Sequence, residues 1–213
     1  YTVRKATQGL ANFIKKENAA DRGVAIAYDS RRMSPEFADE AALCLNANGI
    51  KAYIFPSLRP TPMLSFALRE LGCTAGVVVT ASHNPPQYNG YKVYWEDGAQ
   101  ITAPKDKQII TEVQAITDFA QVKTMFGEDA KAAGLYEVIG EEIDDKYMKA
   151  LKKLVLRPEA IKEQELPDGD FPTVSYPNPE DKNAFILALK LAKEVDTDIA
   201  TGETSVLSLP ESN

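Results

Sequence analysis

Ala75-Gly76-Val77-Val78-Val79-Thr80 is the most strand-like run in this chain, and Ala81-Ser82-His83-Asn84-Pro85-Pro86-Gln87-Tyr88-Asn89-Gly90-Tyr91-Lys92 follows it directly. Uncharged, valine-rich and bounded by polar residues, the run predicts a strand buried on both faces. Such a strand needs parallel neighbours and covering helices, and the upstream sequence supplies both. Gly23-Val24-Ala25-Ile26-Ala27-Tyr28 is a second buried run, and Lys51-Ala52-Tyr53-Ile54-Phe55 is a shorter third. Between these two, Ser34 is expected to cap a helix with Pro35 at its first position; Phe37, Ala41 and Leu45 lie along it and Asn48-Gly49 ends it. Thr61 is expected to cap another helix, with Pro62 first and Gly72 as the stop. Thr2 to Lys16 reads as an amphipathic helix with Val3, Leu10, Phe13 and Ile14 roughly on one face. Strand, helix, strand, helix, strand predicts an α/β fold: a layered α/β/α domain with a mixed, largely parallel sheet.

Downstream, Val93-Tyr94-Trp95 reads as a strand, Glu96-Asp97-Gly98-Ala99 as a turn and Gln100-Ile101-Thr102 as a return. Pro104 opens a helix expected to run to about Phe119. Beyond Gly134 the pattern changes. Glu141 to Leu156 reads as a helix broken by Arg157-Pro158, Glu159 to Glu163 as a further turn or two, Pro167 to Pro179 as a loop and Glu180 to Glu194 as a clean helix. Thr201 to Asn213 looks like strand fragments without partners. Helices with almost no sheet to cover predict an incomplete second domain of similar type. The expected organisation is residues 1–133 as a first domain, 134–200 as part of a second, and 201–213 as a tail.

Composition excludes some functions. Apolar residues make up 44% and charged residues 26% of 213, which argues against disorder. The net charge of −7 weighs against a broad nucleic-acid footprint, and no apolar run is long enough to cross a bilayer. No nucleic-acid or membrane partner is therefore expected. The two cysteines, Cys44 and Cys73, sit in apolar stretches and read as small core residues, so a cytoplasmic location is expected. The chain starts with Tyr1 and lacks a signal-peptide pattern, so it is expected to be a trimmed chain.

The loop after the third strand draws the chemistry. In open α/β sheets, ligands collect where strands end at their carboxyl side. Ser82 is a candidate nucleophile there, with His83, the only histidine, beside it and Lys92 ten residues on. Acyl transfer by Ser82 and His83 is disfavoured, because adjacent residues on a loop point apart and no Gly-x-Ser-x-Gly elbow is present. Phosphoryl transfer through Ser82 needs positioning and positive charge, which Arg31, Lys92 and backbone N–H groups could supply. A plain Ser-His-Asn-Pro turn is the third reading of the same residues.

Thr80-Ala81-Ser82-His83-Asn84-Pro85 with Asn89-Gly90-Tyr91-Lys92 closely resembles the phosphoserine loop of the α-D-phosphohexomutase family. Tyr28-Asp29-Ser30-Arg31-Arg32-Met33-Ser34-Pro35-Glu36 is similar to its first strand-to-helix turn, and Arg59-Pro60-Thr61-Pro62 to its threonine-proline loop. Tyr91 to Gln100 resembles the branch of bacterial phosphoglucomutases and the phosphoglucomutase/phosphopentomutase type. The resemblance runs continuously over residues 1–133. It implies a phosphohexomutase that interconverts glucose 1-phosphate and glucose 6-phosphate through a phosphoserine and glucose 1,6-bisphosphate. It implies Ser82 as the phosphoserine, a Mg²⁺ ion on its phosphate, Lys92 as an acid/base or charge-stabilising partner, and Arg31 as an active-site arginine. His83 is implied among the catalytic residues, His83 and Asn84 would shape the loop and its hydrogen bonds, and Asn84, Arg31 and Lys92 would bind the substrate's phosphate. Mannose and pentose phosphates stay open as substrates, and small phosphorylated sugars are the expected partners. Oligomeric state is not readable.

The departures carry expectations too. The family's amino-terminal Gly/Arg loop, its Asp-x-Asp-x-Asp-Arg metal loop and its Glu-x-Gly sugar loop are not found in the sequence. Asp196-Thr197-Asp198 is not read as the metal site. The Glu163-Gln164 join and the tail after Thr201 look like places where sequence is skipped. The chain is therefore expected to be an incomplete part of the enzyme and inactive alone, with a truncated non-catalytic product as the rival reading.

Overall fold

Five-residue apolar runs bury completely only where neighbours cover both faces, and two such runs form the centre of the protein. In a computed structural model describing residues 1–85, 87–156, 199–201 and 206–208, Val24–Tyr28 (β1) and Ala75–Val79 (β3) are buried at every position. They pair in parallel from Val24 opposite Ala75 to Tyr28 opposite Val79. Ala52–Ile54 (β2) pairs in parallel with β1, and Tyr91–Trp95 (β4) runs antiparallel to β3. Tyr136–Val138 (β5) adds in parallel to β2, giving the order β4-β3-β1-β2-β5. Strand β5 lies past residue 133, where the sequence reading placed a boundary.

Side chains on a strand alternate between faces, and two cores result. On one face, Val24, Ile26, Tyr28, Val77, Val79 and Trp95 meet Leu10 and Ile14 of Thr2–Lys16 (α1) and Leu45 of Ser34–Ala47 (α2). Gly9 lets α1 meet the later helix Lys105–Ala115 (α4) closely, since a Cβ there would sit 2.3 Å from a Val113 methyl. On the other face, Ala25, Ala27 and Val78 meet Leu64 and Leu68 of Thr61–Glu70 (α3) and Ile143 of Glu141–Lys152 (α6). Each fully buried leucine contributes ~1.5–3 kcal/mol by leaving water. This sheet and its helices thus make an α/β/α layer with a mixed, largely parallel sheet.

Helix α1 occupies the expected span. Other elements differ locally. Helix α2 starts at Ser34, its cap position is Met33 at φ 62°, and the Ser34 hydroxyl makes no cap bond because it is committed elsewhere. Helix α3 likewise starts at Thr61 without a side-chain cap. Helix α4 stops at Ala115, and Phe119–Gln121 forms a separate 3-10 turn capped by Asp118. The six-residue helix Gly127–Ala132 (α5) and β5 were not anticipated. The expected return strand is reduced to a single bridge, Tyr94 with Gln100.

Residues Tyr1–Ser82 and Gln87–Leu154 form one unit, and His83–Pro86 with Val155–Asn213 form another. In the second, Ile199–Thr201 (β6) pairs antiparallel with Val206–Ser208 (β7). This corrects the reading of that stretch as fragments without partners. The expected segments Glu159–Glu163, Pro167–Pro179 and Glu180–Glu194, the Glu163-Gln164 join and Asp196-Thr197-Asp198 lie outside the described residues. Among the described residues, no helix is long and apolar enough to cross a membrane.

Candidate active site at the carboxyl edge of the sheet

Strand β1 has β2 on one side and β3 on the other. The chain therefore leaves β1 and β3 at a topological switch point, the usual place for a ligand crevice in an open α/β sheet. Two loops meet there, residues 29–33 and the two ends of the loop after β3, residues 80–82 and 87–90. They start side by side, with the Asp29 N–H bonding the Val79 carbonyl at 3.2 Å.

Asp29 organises the first loop. Its Oδ1 accepts from the Arg31 backbone N–H at 3.0 Å and from the Ser34 hydroxyl at 2.8 Å. Its Oδ2 accepts from Arg31 Nε at 3.1 Å. The first bond is an Asx turn, a local device that aspartate favours. The last pairs the carboxylate with a guanidinium whose side chain is only 12% exposed. Arg31 then spans to the other loop, its Nη2 donating to the Ser82 carbonyl and its Nη1 to the Tyr88 carbonyl at 3.3 Å. The planar guanidinium suits this work, because its donors form a rigid fork.

Ser82 itself is half-buried and sits at φ 56°, the left-handed region. That conformation is uncommon for a residue with a Cβ and costs ~1–3 kcal/mol unless the surroundings impose it. The surroundings do. The Ser82 N–H donates to Thr80 Oγ1 at 3.0 Å, and Arg31 holds the carbonyl. The loop is also closed at its base, where the Thr80 N–H meets the Gly90 carbonyl at 3.0 Å. Gly90 is required there, because a Cβ would lie 2.4 Å from the Thr80 carbonyl oxygen.

Lys92 stands one residue inside β4, opposite Val78, and is half-buried. No ion pair joins its ammonium to a described residue. The Lys92 backbone lies at the second residue pair from the end of the strand pair at which the Ser82 loop leaves and rejoins the sheet. His83 is half-buried and Asn84 exposed on the turn after Ser82. Both group with the other unit. The structure thus brings Ser82 and Arg31 together directly.

Asp29, Thr80, Ser34 and Asn89 carry the geometry and were not named as site residues from the sequence. Asp29 was legible in principle, since Asp-x-Arg after a buried strand is an Asx-turn pattern. Nearby, Arg59 leaves the loop after β2 and grips Asp144 of α6 through two bonds of 2.9 and 2.6 Å. That bond to Asp144 keeps the guanidinium charged beyond its ordinary range, against the opposing effect of burial. Cys44 and Cys73 are buried and unpaired with each other, and burial pushes both thiols up to about 12. They are packing residues, as expected. Among the described residues, no group of three or more His, Cys, Asp or Glu side chains is placed to hold a metal ion.

Comparison with known proteins agrees with this architecture. Residues 1–119 match the model for phosphoglucomutase/phosphomannomutase alpha/beta/alpha domain I, and residues 143–202 match domain II. A Haemophilus influenzae protein named as a probable phosphomannomutase is 35% identical over 230 residues, covering 92% of this chain and 46% of the relative. A phosphoglucomutase of Staphylococcus saprophyticus is 33% identical, covering 93% of this chain and 42% of its own length. The human phosphopentomutase is 33% identical, covering 93% of this chain and 39% of its own. The chain thus spans less than half the length of these relatives. A Thermus thermophilus structure, provisionally named a phosphomannomutase, superposes with a TM-score of 0.61 at 27% identity, over 72% of this chain and 32% of that one. With both domain models matched in order along it, the chain belongs to the phosphoglucomutase/phosphomannomutase family.

Proposed function

We propose that the protein carrying this chain is a phosphohexomutase that interconverts glucose 1-phosphate and glucose 6-phosphate through phospho-Ser82 and glucose 1,6-bisphosphate. One observation carries the reading. A serine is held in left-handed backbone at the switch point of the sheet, braced by an arginine whose own charge is already matched. A hydroxyl so placed is presented by the fold rather than buried in it.

The chemistry follows from the residues. A free sugar hydroxyl attacks the phosphorus of phospho-Ser82, its O–P bond forms, the Ser82 Oγ–P bond breaks, and the hydroxyl proton passes to a base. The bisphosphate reorients, and Ser82 then takes the other phosphate. A phosphoserine carries roughly −1.5 to −2 charge, so the cation at Lys92 favours the phosphorylated state and the charge developing in transfer. Arg31 keeps the loop's shape through the Ser82 and Tyr88 carbonyls, and His83 and Asn84 complete the turn. Mg²⁺ is the cofactor this reading calls for, but the described residues include no carboxylate cluster that fits it, and the steps above run through the chain's own groups. Phosphorylated sugars are the partners, and the proposed compartment is the cytoplasm, in keeping with two reduced, buried thiols.

The second reading, mannose or pentose phosphate as substrate, is favoured by the similar identities of relatives named for each activity. The test is the intact mass of the full-length protein after incubation with glucose 1,6-bisphosphate, with and without phosphatase. One phosphate, lost in Ser82→Ala, is expected. Full turnover by Ser82→Ala would end the proposal, and parallel assays on glucose, mannose and ribose phosphates decide the sugar.

A further inference from the structure

Ser34 is fully buried, yet its hydroxyl is neither a cap nor idle. It joins the two loops. The Asp29 carboxylate can only accept, so the Ser34 hydroxyl donates to it at 2.8 Å. The Ser34 oxygen is then left to accept, and Asn89 Nδ2 donates to it at 2.9 Å. The same Nδ2 donates to the Arg32 carbonyl at 3.2 Å, while Asn89 Oδ1 accepts from the Gly90 N–H at 2.9 Å. Each partner fixes the direction of the next, and the amide orientation of Asn89 is determined by chemistry. Asp29 thereby grips the reactive loop twice: near Ser82 through Arg31, and at its far end through Ser34 and Asn89.

Both grips are present with Ser82 unmodified, and phosphorylation adds a third hold that comes and goes. A phosphate on Ser82 adds charge that neighbouring cations hold. When the phosphate leaves, that attraction leaves with it. The Ser34–Asn89 bond joins neutral groups and does not depend on the charge at Ser82.

We infer that Ser34 and Asn89 are positioning residues that hold the Ser82 loop in its reactive shape while Ser82 carries no phosphate. The inference rests on the phosphoserine reading above. Neither residue touches the reacting atoms. Their effect falls on the half-reaction that starts from free Ser82. In that step the Ser82 oxygen attacks a phosphorus of glucose 1,6-bisphosphate, the Oγ–P bond forms, the sugar O–P bond breaks, and the serine proton ends on the released sugar hydroxyl.

The test follows the two half-reactions by intact mass on the full-length protein. In one, dephosphorylated protein meets glucose 1,6-bisphosphate; in the other, phosphorylated protein meets glucose 6-phosphate. Asn89→Ala and Ser34→Ala are each expected to slow the first at least about tenfold and the second by no more than ~threefold, a loss of positioning. Asn89→Asp keeps the shape but removes the donor, and it is expected to be at least as slow as Asn89→Ala. The double variant is expected to match the slower single one, because both remove the same bond. Equal slowing of both half-reactions, no slowing, or a normal Asn89→Asp would overturn the inference. Urea midpoints identify a variant that has simply unfolded, and the variants that stay folded then decide the test, with Ser34→Thr, which keeps the hydroxyl, expected to retain the first half-reaction. Wild-type protein that never takes phosphate at Ser82 would instead remove the phosphoserine reading itself.

Discussion

Replacing Gly90 by alanine is the sharpest single test of how the Ser82 loop is held. The added Cβ would lie 2.4 Å from the Thr80 carbonyl oxygen and 3.3 Å from its carbon. A comfortable carbon–oxygen contact is about 3.3 Å, so the overlap is close to ~0.9 Å against backbone, which cannot rotate away. Relief requires the loop's two ends to part. The Thr80–Gly90 hydrogen bond of 3.0 Å sits at that point and its loss costs about 1 kcal/mol. Adding ~1–3 kcal/mol for overpacking gives a destabilisation of about 2–4 kcal/mol. Ser82 would move with the loop, and a displacement near 1 Å is expected to slow phosphoryl uptake by roughly a hundredfold. Urea unfolding gives the first quantity, and intact-mass kinetics with glucose 1,6-bisphosphate the second. Gly127→Ala is the control. A Cβ there meets nothing within 4 Å, and Gly127 opens α5, so it is expected to be neutral or up to ~1 kcal/mol stabilising. A Gly90→Ala protein with wild-type midpoint and wild-type uptake would refute the close-approach argument.

Cys44 and Cys73 are buried with thiols pushed up to about 12 from about 9. Their protonated form is favoured by the fold, so this contribution is complete below pH 9 and falls as pH rises toward 12. Stability is expected to drop over that window by up to ~1.4 kcal/mol per pH unit per thiol, and Cys44→Ala with Cys73→Ala should remove that slope from urea titrations. Arg59 and Asp144 are mostly buried partners with two short bonds, so a double-mutant cycle to alanine is expected to give a coupling of about 1–2 kcal/mol that weakens in high salt. A coupling near zero would show the pair to be incidental. Leu64 is fully buried against Gly76; Leu64→Ala is expected to cost about 2–5 kcal/mol in urea, and a cost below 1 would mean that α3 packs loosely.

Much of the first unit was legible because its central strands are apolar without interruption. Val24–Tyr28 and Ala75–Val79 hold no charged residue, a pattern that predicts burial on both faces, and both are buried throughout. Tyr136–Val138 was not legible: it is three residues long and its last two are exposed, so no period marks it. Only its pairing with β2 makes it a strand. Ser34 was misread for a related reason. Ser-Pro-Glu at a helix start is a capping pattern, but Asp29 five residues earlier competes for the hydroxyl and wins by charge. Ser82 and Arg31 were named from their residue types and from their loops after buried strands, and the structure brings the two together. Asn89 was read only as half of an Asn-Gly turn, since a bond to a residue 55 positions away leaves no local trace.

The late arrival of β5 has a practical consequence for anyone dividing this protein. A fragment cut at residue 133 would keep every catalytic candidate named above and lose the strand that covers β2. The exposed edge would then offer Ala52–Ile54 as a template for another chain, and Tyr136, whose hydroxyl reaches Asp39 at 2.8 Å, would no longer anchor α2. Extending the fragment through Leu154 restores the covered edge and includes the Arg59–Asp144 clasp. The sheet's solubility is therefore encoded some fifty residues downstream of its chemistry.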